Sequence, residues 1–218
     1  GKETDPLAKK TLYFPRYHQL DVVRKIIKDV SEKGVGQTYL IQHSAGSGKS
    51  NSITWAAYQL IEAYPTATDL PGSKGMDHPL FDSVIVVADR RLLDKQLREN
   101  IKEFSEVKNI VAPALSSSDL RVALESGKKI IITTIQKFPF IVDGIADLSD
   151  KRFAVIIDEA HHVAEKNQWA QLANIFKGCR IIGFTATPCR LDGMPLGKEY
   201  GGIFDKLIQA PFHSLKYK

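Results

Sequence analysis

Two short clusters hold the residue types from which chemistry could be built. His43-Ser44-Ala45-Gly46-Ser47-Gly48-Lys49-Ser50 lies between a run with strand character and a run with helical spacing. A glycine-rich turn in that setting brings backbone N–H groups within reach of an anion, and the start of the following helix adds positive potential. Ser44, Ala45, Gly46, Ser47 and Gly48 would wrap the phosphates of a nucleoside triphosphate. Lys49 would reach the β- and γ-phosphates, and the Ser50 hydroxyl would ligate Mg2+. The general phosphate-loop pattern carries a glycine where this chain has His43. A Gly/Ser turn feeding a helix would account for the loop alone. Lys49-Ser50 at the helix start turns the reading toward phosphate.

The second cluster, Val155-Ile156-Ile157-Asp158-Glu159-Ala160-His161, puts two acids at the carboxyl end of an apolar run. In open α/β sheets that edge binds the ligand. Asp158 would hold Mg2+ through water, and Glu159 would orient and deprotonate an attacking water. An acidic pair after a strand is often only a helix cap; the phosphate loop upstream gives it meaning. Glu159 and Lys49 are therefore the candidate catalytic residues. His161-His162 suggests a metal, but no Cys, His or acid cluster completes a zinc site. His161 reads better as a coupling residue.

These groups need a frame, and the apolar periodicity predicts one. Apolar runs at 38–43, 83–88, 129–133, 153–158 and 180–185, with a weaker one at 107–111, alternate with helical patterns. That order predicts an α/β domain with a mostly parallel sheet and helices on both faces. The unbroken Val84-Ile85-Val86-Val87 fits a strand buried on both sides. Leu20, Val23, Ile26, Ile27 and Val30 form a helical stripe ahead of the first strand. Ile53, Ala56, Ala57, Leu60 and Ile61 form another after it, and Leu92, Leu93, Leu97, Ile101 and Phe104 a third after the second strand. Ser116 to Asp119 reads as the cap of a short helix ending at Gly127. Residues 64–82, with Pro65, Pro71, Gly72, Gly75 and Pro79, read as an irregular, mobile insertion. Three regions are expected: a flexible tail over 1–13, the nucleotide-binding domain over 14–190, and an exit segment over 191–218 in which only 206–209 offers a further strand.

Asp158-Glu159-Ala160-His161 is the DEAH form of motif II in superfamily 2 helicases. Gly183-Phe184-Thr185-Ala186-Thr187-Pro188, one strand later, resembles their motif III. The chain thus resembles the first RecA-like P-loop NTPase domain of such motors. The resemblance implies that Thr185 and Thr187 link nucleotide state to nucleic-acid grip through His161. Phe14-Pro15-Arg16-Tyr17-His18-Gln19 resembles a Q motif. This implies that the Gln19 amide reads the adenine edge, that Arg16 or Tyr17 stacks on the base, and that the ligands are ATP and Mg2+. Ala88-Asp89-Arg90-Arg91 resembles motif Ia, and Thr133-Thr134-Ile135-Gln136-Lys137 resembles motif Ib or Ic. Arg90, Arg91, Thr134, Gln136 and Lys137 would then grip phosphates without reading sequence. A solvated turn is the plain alternative for either stretch.

Three stretches together, Pro15-Arg16-Tyr17-His18-Gln19, residues 41–50 and Val87-Ala88-Asp89-Arg90-Arg91-Leu92-Leu93-Asp94, are similar to the R subunit of type I restriction enzymes. The similarity runs over 14–188. It implies ATP-driven translocation of double-stranded DNA in the prokaryotic cytoplasm, toward a complex with methylation and specificity subunits. Cutting would fall to a nuclease domain elsewhere in the same polypeptide. A DEAH helicase of DNA repair or of RNA shares these motifs. A nucleotide-regulated binding module without turnover is the reading from another class, and Glu159 beside Lys49 and Asp158 argues against it.

Composition bounds these readings more loosely. An apolar fraction of 43% and a charged fraction of 25% suit a chain that buries a core. No apolar run approaches the roughly 20 residues that span a bilayer, so no membrane role is expected. Cys179 and Cys189 are too few for a disulfide framework. A net charge of +5 points only weakly to a polyanion. The start at Gly1 reads as that of a processed or excised piece. No second set of strands and no further arginine motif follow Pro188, and no nuclease region precedes residue 14. By itself, then, the chain is expected not to cut DNA and to bind and hydrolyse ATP poorly, since an arginine from the second RecA-like domain is worth about 10³–10⁵ in rate.

Overall fold

Strands that are apolar at every position need cover on both faces, and the fold supplies it. The computed structural model describes residues 14–44, 46–88, 111–134, 150–161, 179–189, 193–200, 202 and 204–209. Their order is α1 (Tyr17–Lys33), β1 (Thr38–Gln42), α2 (Lys49–Leu60), β2 (Ser83–Ala88), β3 (Val111–Pro113), α3 (Ser117–Glu125), β4 (Ile130–Thr134), β5 (Phe153–Asp158), β6 (Arg180–Thr185) and β7 (Lys206–Gln209), with a 3-10 turn at Lys198–Tyr200 before β7. The seven strands form one sheet in the order β3-β4-β2-β5-β6-β1-β7. Every pairing is parallel. All carboxyl ends therefore lie along one edge, and β6 runs between the strand of the phosphate loop and the strand of the acids.

Alternation along each strand divides the core in two. Tyr39, Ile41, Val84, Val86, Ile156, Ile182 and Phe184 pack with Val22, Val23, Ile26 and Val30 of α1 and Ile53, Ala56, Ala57 and Leu60 of α2. Leu40, Ile85, Val87, Val155, Ile157 and Ile181 face the other way, with Leu120 and Ala123 of α3. Period-two alternation thus fills both faces of each strand, which is why the sequence shows unbroken apolar runs rather than a polar-apolar rhythm. In α3 the Ser116 hydroxyl accepts from the Asp119 N–H at 3.2 Å while the Asp119 carboxylate accepts from the Leu115 N–H at 2.9 Å. This is the expected cap.

Two expectations change. Residues 64–82 are irregular, but they are tied down. The Thr66 N–H and hydroxyl both donate to Ser31 O, at 2.9 and 3.0 Å, and the Val35 N–H donates to Pro71 O at 2.9 Å. Leu80 and Phe81 are buried, and the Asp82 carboxylate holds Arg152. Prolines and glycines deny this stretch a helix without denying it anchors. The segment over 191–218 is expected to leave the domain, but the further strand expected at 206–209 forms as β7 and pairs with β1 from Tyr39↔Lys206 to Gln42↔Gln209. As an edge strand it buries only Ile208, so its apolar signal is a single residue. Strand limits also shift slightly: β4 ends at Thr134, and β3 begins at Val111. The expected helix at 92–104, the rest of the 107–111 run and the 1–13 tail lie outside the described residues.

At the edge opposite the phosphate loop, Arg180 begins β6 with its side chain fully buried. It donates to the Tyr39 hydroxyl at 2.6 Å and to Gly34 O, and it lies 3.7 Å from Asp29. Burial lowers its pKa to about 10, with Asp29 and Asp205 pulling the other way, so it stays charged at neutral pH.

Candidate functional site

The phosphate loop starts where β1 runs out, with the His43 N–H still donating to Thr185 O of β6 at 2.8 Å. Gly46 and Gly48 both adopt positive φ, 73° and 83°, and Gly48 is the N-cap of α2. No side chain caps α2, and its first turn holds no acid. The start of α2 thus carries the positive end of its dipole with no side-chain cap over it. A Cβ at Gly48 would also meet the end of the Gln19 carboxamide, which would have to shift.

Lys49 reaches across β6 to the end of β5. Its Nζ lies 3.0 Å from Asp158 Oδ1 and contacts Glu159 Oε1. Residues 49, 158 and 159, expected from sequence to share a site, are thus brought into direct contact. Asp158 is buried, and that burial raises its pKa, while the Lys49 ammonium pulls it back down. Glu159 is the one non-glycine with positive φ among the described residues, at 49°. Such a backbone costs about 1–3 kcal/mol and collects at functional sites. Here it ends β5 so that two consecutive carboxylates meet the same ammonium.

A second link runs from the acids to the end of β6. His161 Nδ1 lies 2.8 Å from Thr185 Oγ1 and 3.5 Å from Glu159 Oε2. The Thr185 hydroxyl donates to Thr187 O at 2.9 Å, and its oxygen accepts the Thr187 N–H at 3.1 Å. With that hydroxyl proton committed, Thr185 Oγ1 is the acceptor toward His161, which places the imidazole proton on Nδ1. His161, Thr185 and Thr187 thus form one hydrogen-bonded chain, with the Glu159 carboxylate 3.5 Å from its His161 end. Gly183 permits it: a Cβ there would sit 2.8 Å from Ala160 Cβ and 2.6 Å from the Phe204 ring.

Gln19 is buried, and its amide is engaged at both ends. Oε1 accepts the Arg16 N–H at 2.8 Å, and Nε2 donates to Gly48 O at 2.9 Å, with Ser47 O at 3.3 Å. The same amide therefore braces the loop against the start of α1. The Arg16 side chain is exposed at the start of α1, as is Tyr17. Ser50 lies in the first turn of α2, Ser44 O accepts the Ser47 N–H at 3.2 Å, and Thr134 ends β4 beside Ala88. Ala45, Arg90, Arg91, Gln136 and Lys137 lie outside the described residues.

Sequence reasoning missed His18 and Ser52, which join His43 and Ser47 in one polar cluster. The signal available was the His43 replacement itself, since a bulky polar residue under a tight loop must find partners. Burial, and then the neighbouring His18, lower the His43 pKa from 6.5 to about 4. The unfolded chain would bind a proton that the folded chain refuses, so stability is lost as pH falls from 6.5 toward 4. The loss reaches about 3 kcal/mol. Thermal midpoints recorded across that window should drop more steeply for the parent than for His43→Asn. Identical acid limbs would mean that His43 protonates freely in the fold.

Residues 18–210 match the family model described as SWI2/SNF2 ATPase. The chain is 26% identical over 228 aligned residues to the type I restriction enzyme HindI endonuclease subunit of Haemophilus influenzae. The match covers 93% of this chain and only 20% of that relative. Among solved structures it is similar to the UvsW helicase from bacteriophage T4, with a TM-score of 0.60 and 14% identity over 93% of this chain and 64% of that one. The Hef helicase domain of Pyrococcus furiosus gives 0.57 and 17%, over 89% and 38%. A DEAD box protein from Methanococcus jannaschii gives 0.55 and 22%, over 90% and 50%.

Proposed function

The chain belongs to the SWI2/SNF2 ATPase family, and on that premise we propose that it is the ATP-binding half of a double-stranded DNA translocase, the motor part of a type I restriction enzyme R subunit. The observation that carries the reading is Lys49 held between Asp158 and Glu159 at the uncapped start of α2. A triphosphate entering there would take the ammonium and the positive end of the α2 dipole and leave Glu159 beside an attacking water. Asp158 and the Ser50 hydroxyl offer hard oxygen donors, which suit Mg2+ held jointly with phosphate oxygens. Mg2+ would neutralise charge on those oxygens. The His161–Thr185–Thr187 chain would report the state of Glu159 to the end of β6.

Arg90, Arg91, Thr134, Gln136 and Lys137 would grip the phosphates of the DNA. Methylation and specificity subunits, a second RecA-like domain and a nuclease domain of the same polypeptide are the partners proposed, in a prokaryotic cytoplasm. The chain spans a fifth of the type I relative, so these belong to the whole protein, and weak ATPase without DNA cleavage is expected of the piece alone. The test is ATP turnover by the full-length protein with and without double-stranded DNA. Turnover should rise with DNA of any sequence, and log affinity should fall with log salt at about −0.9 per phosphate contacted. DNA binding indifferent to salt would sink the phosphate-grip reading. Strand displacement driven by ATP would favour a helicase instead.

A further inference from the structure

His43 is the position where the phosphate loop departs from the general pattern, and triphosphate chemistry leaves it without a task. Yet its side chain is fully buried, and both ring nitrogens are engaged. The Ser47 hydroxyl donates to Ser44 O, so its lone pair faces His43 Nδ1, and the ring proton lies there. Nε2 is then the acceptor for the Ser52 hydroxyl of α2, at 3.0 Å. In the chain Ser52–His43–Ser47–Ser44 each proton is used once, and the ring is neutral. His18 of α1 adds a third hold: its Nε2 lies 3.0 Å from Ser47 O, and its ring meets that of His43 edge-on, centroids 5.5 Å apart.

The direction of these holds matters. In a trans peptide the C=O of one residue and the N–H of the next point opposite ways. Drawing Ser47 O toward α1 therefore aims the Gly48 N–H away from α1. Gln19, donating to Gly48 O, does the same for the Lys49 N–H. These amides belong to the uncapped start of α2 that the nucleotide reading assigns to phosphate.

We infer that His43 is a positioning residue for nucleotide binding, which through Ser47, and with His18, holds the loop in its phosphate-receiving shape. His43 also keeps negative φ, so glycine's conformational freedom is not what this position needs. The inference rests on the nucleotide reading and adds to it a residue that the general loop pattern lacks.

The test uses the full chain, a fluorescent ATP analogue with Mg2+, and thermal melts of each variant. His43→Gly restores the general pattern, yet it should weaken binding about tenfold, the scale set by loss of one or two neutral hydrogen bonds. His43→Asn places an amide donor near the Nδ1 position and should recover affinity to within about threefold. His43→Gln reaches toward Ser52 only and should not. Ser47→Ala should lose affinity with little change in melting, whereas Ser52→Ala should lower melting with little change in affinity. A His43→Gly chain that binds as tightly as the parent overturns the inference. So does a series in which affinity simply follows melting temperature. Lys49→Ala serves as the non-binding control. If the parent itself binds no analogue, the nucleotide reading falls and takes this inference with it. If the parent binds and the His43 and Ser47 variants match it, the inference alone falls.

Discussion

Glu159→Gln in the full-length protein is expected to slow ATP turnover by about 10²–10⁴-fold, the range for losing a positioned general base, while ATP affinity stays within a few-fold of the parent. The substitution preserves side-chain shape and leaves an amide oxygen to face Lys49, so the loop and α2 keep their arrangement. What it removes is the one function that a glutamine cannot supply, accepting a proton from water. The contacts of Lys49 bear on binding as well. Lys49 is shared between Asp158 and Glu159, and an incoming triphosphate must draw it away from both. Neutralising one of the two acids weakens the competing pair, so affinity should hold or rise. Steady-state turnover and equilibrium binding, measured on the same preparation, separate the two effects. Undiminished turnover would remove Glu159 as the base, and joint loss of binding and turnover would make it a structural member of the loop's frame.

Arg180→Ala should lower folding stability by about 3–5 kcal/mol, the usual cost of deleting one partner from a buried charged network. For a chain of this length that corresponds to about 6–20 °C in melting temperature. The guanidinium joins Gly34 at the end of α1, Tyr39 of β1 and Asp29 of α1, and its carbon sits 4.9 Å from the Tyr39 ring centre. Removing it leaves a carbonyl and a phenol without their donor, as well as a cavity at the start of β6. Because this network lies at the sheet edge opposite the phosphate loop, nucleotide affinity of the folded chain should not change. A denaturant midpoint shifted by no more than a surface substitution would show that Arg180 is solvated rather than built in.

Much of the site was legible because its parts are local. The loop glycines, Lys49 and Ser50 lie between positions 46 and 50, and their conformations follow from turn chemistry and a helix start. Asp158 and Glu159 end an apolar run whose length and polarity mark a doubly buried strand. The Ser116–Asp119 cap is likewise a matter of four neighbouring residues. That the loop and the acids would meet was a deduction from their pairing in one pattern. Their contact depends on β6 lying between β1 and β5, a strand order that no periodicity encodes.

What only the tertiary structure decided was every partner chosen across the chain. Arg180 reads in sequence as a charged residue at the mouth of a strand, and only the packing of α1 against β1 closes water away from it. Gln19 reads as a base-binding amide, and only the packing brings α1 near enough to the loop for that amide to donate to Gly48 O as well. Residues 206–209 join the sheet because the open side of β1 had unpaired backbone groups to satisfy, although a single buried side chain marks them. Short-range order in this chain is written in residue type and spacing, since dihedral preferences and apolar periods act within a few positions. The choice of neighbour for each strand edge and each buried polar atom is settled by shape and desolvation across the whole molecule, so it emerges only when the chain is packed.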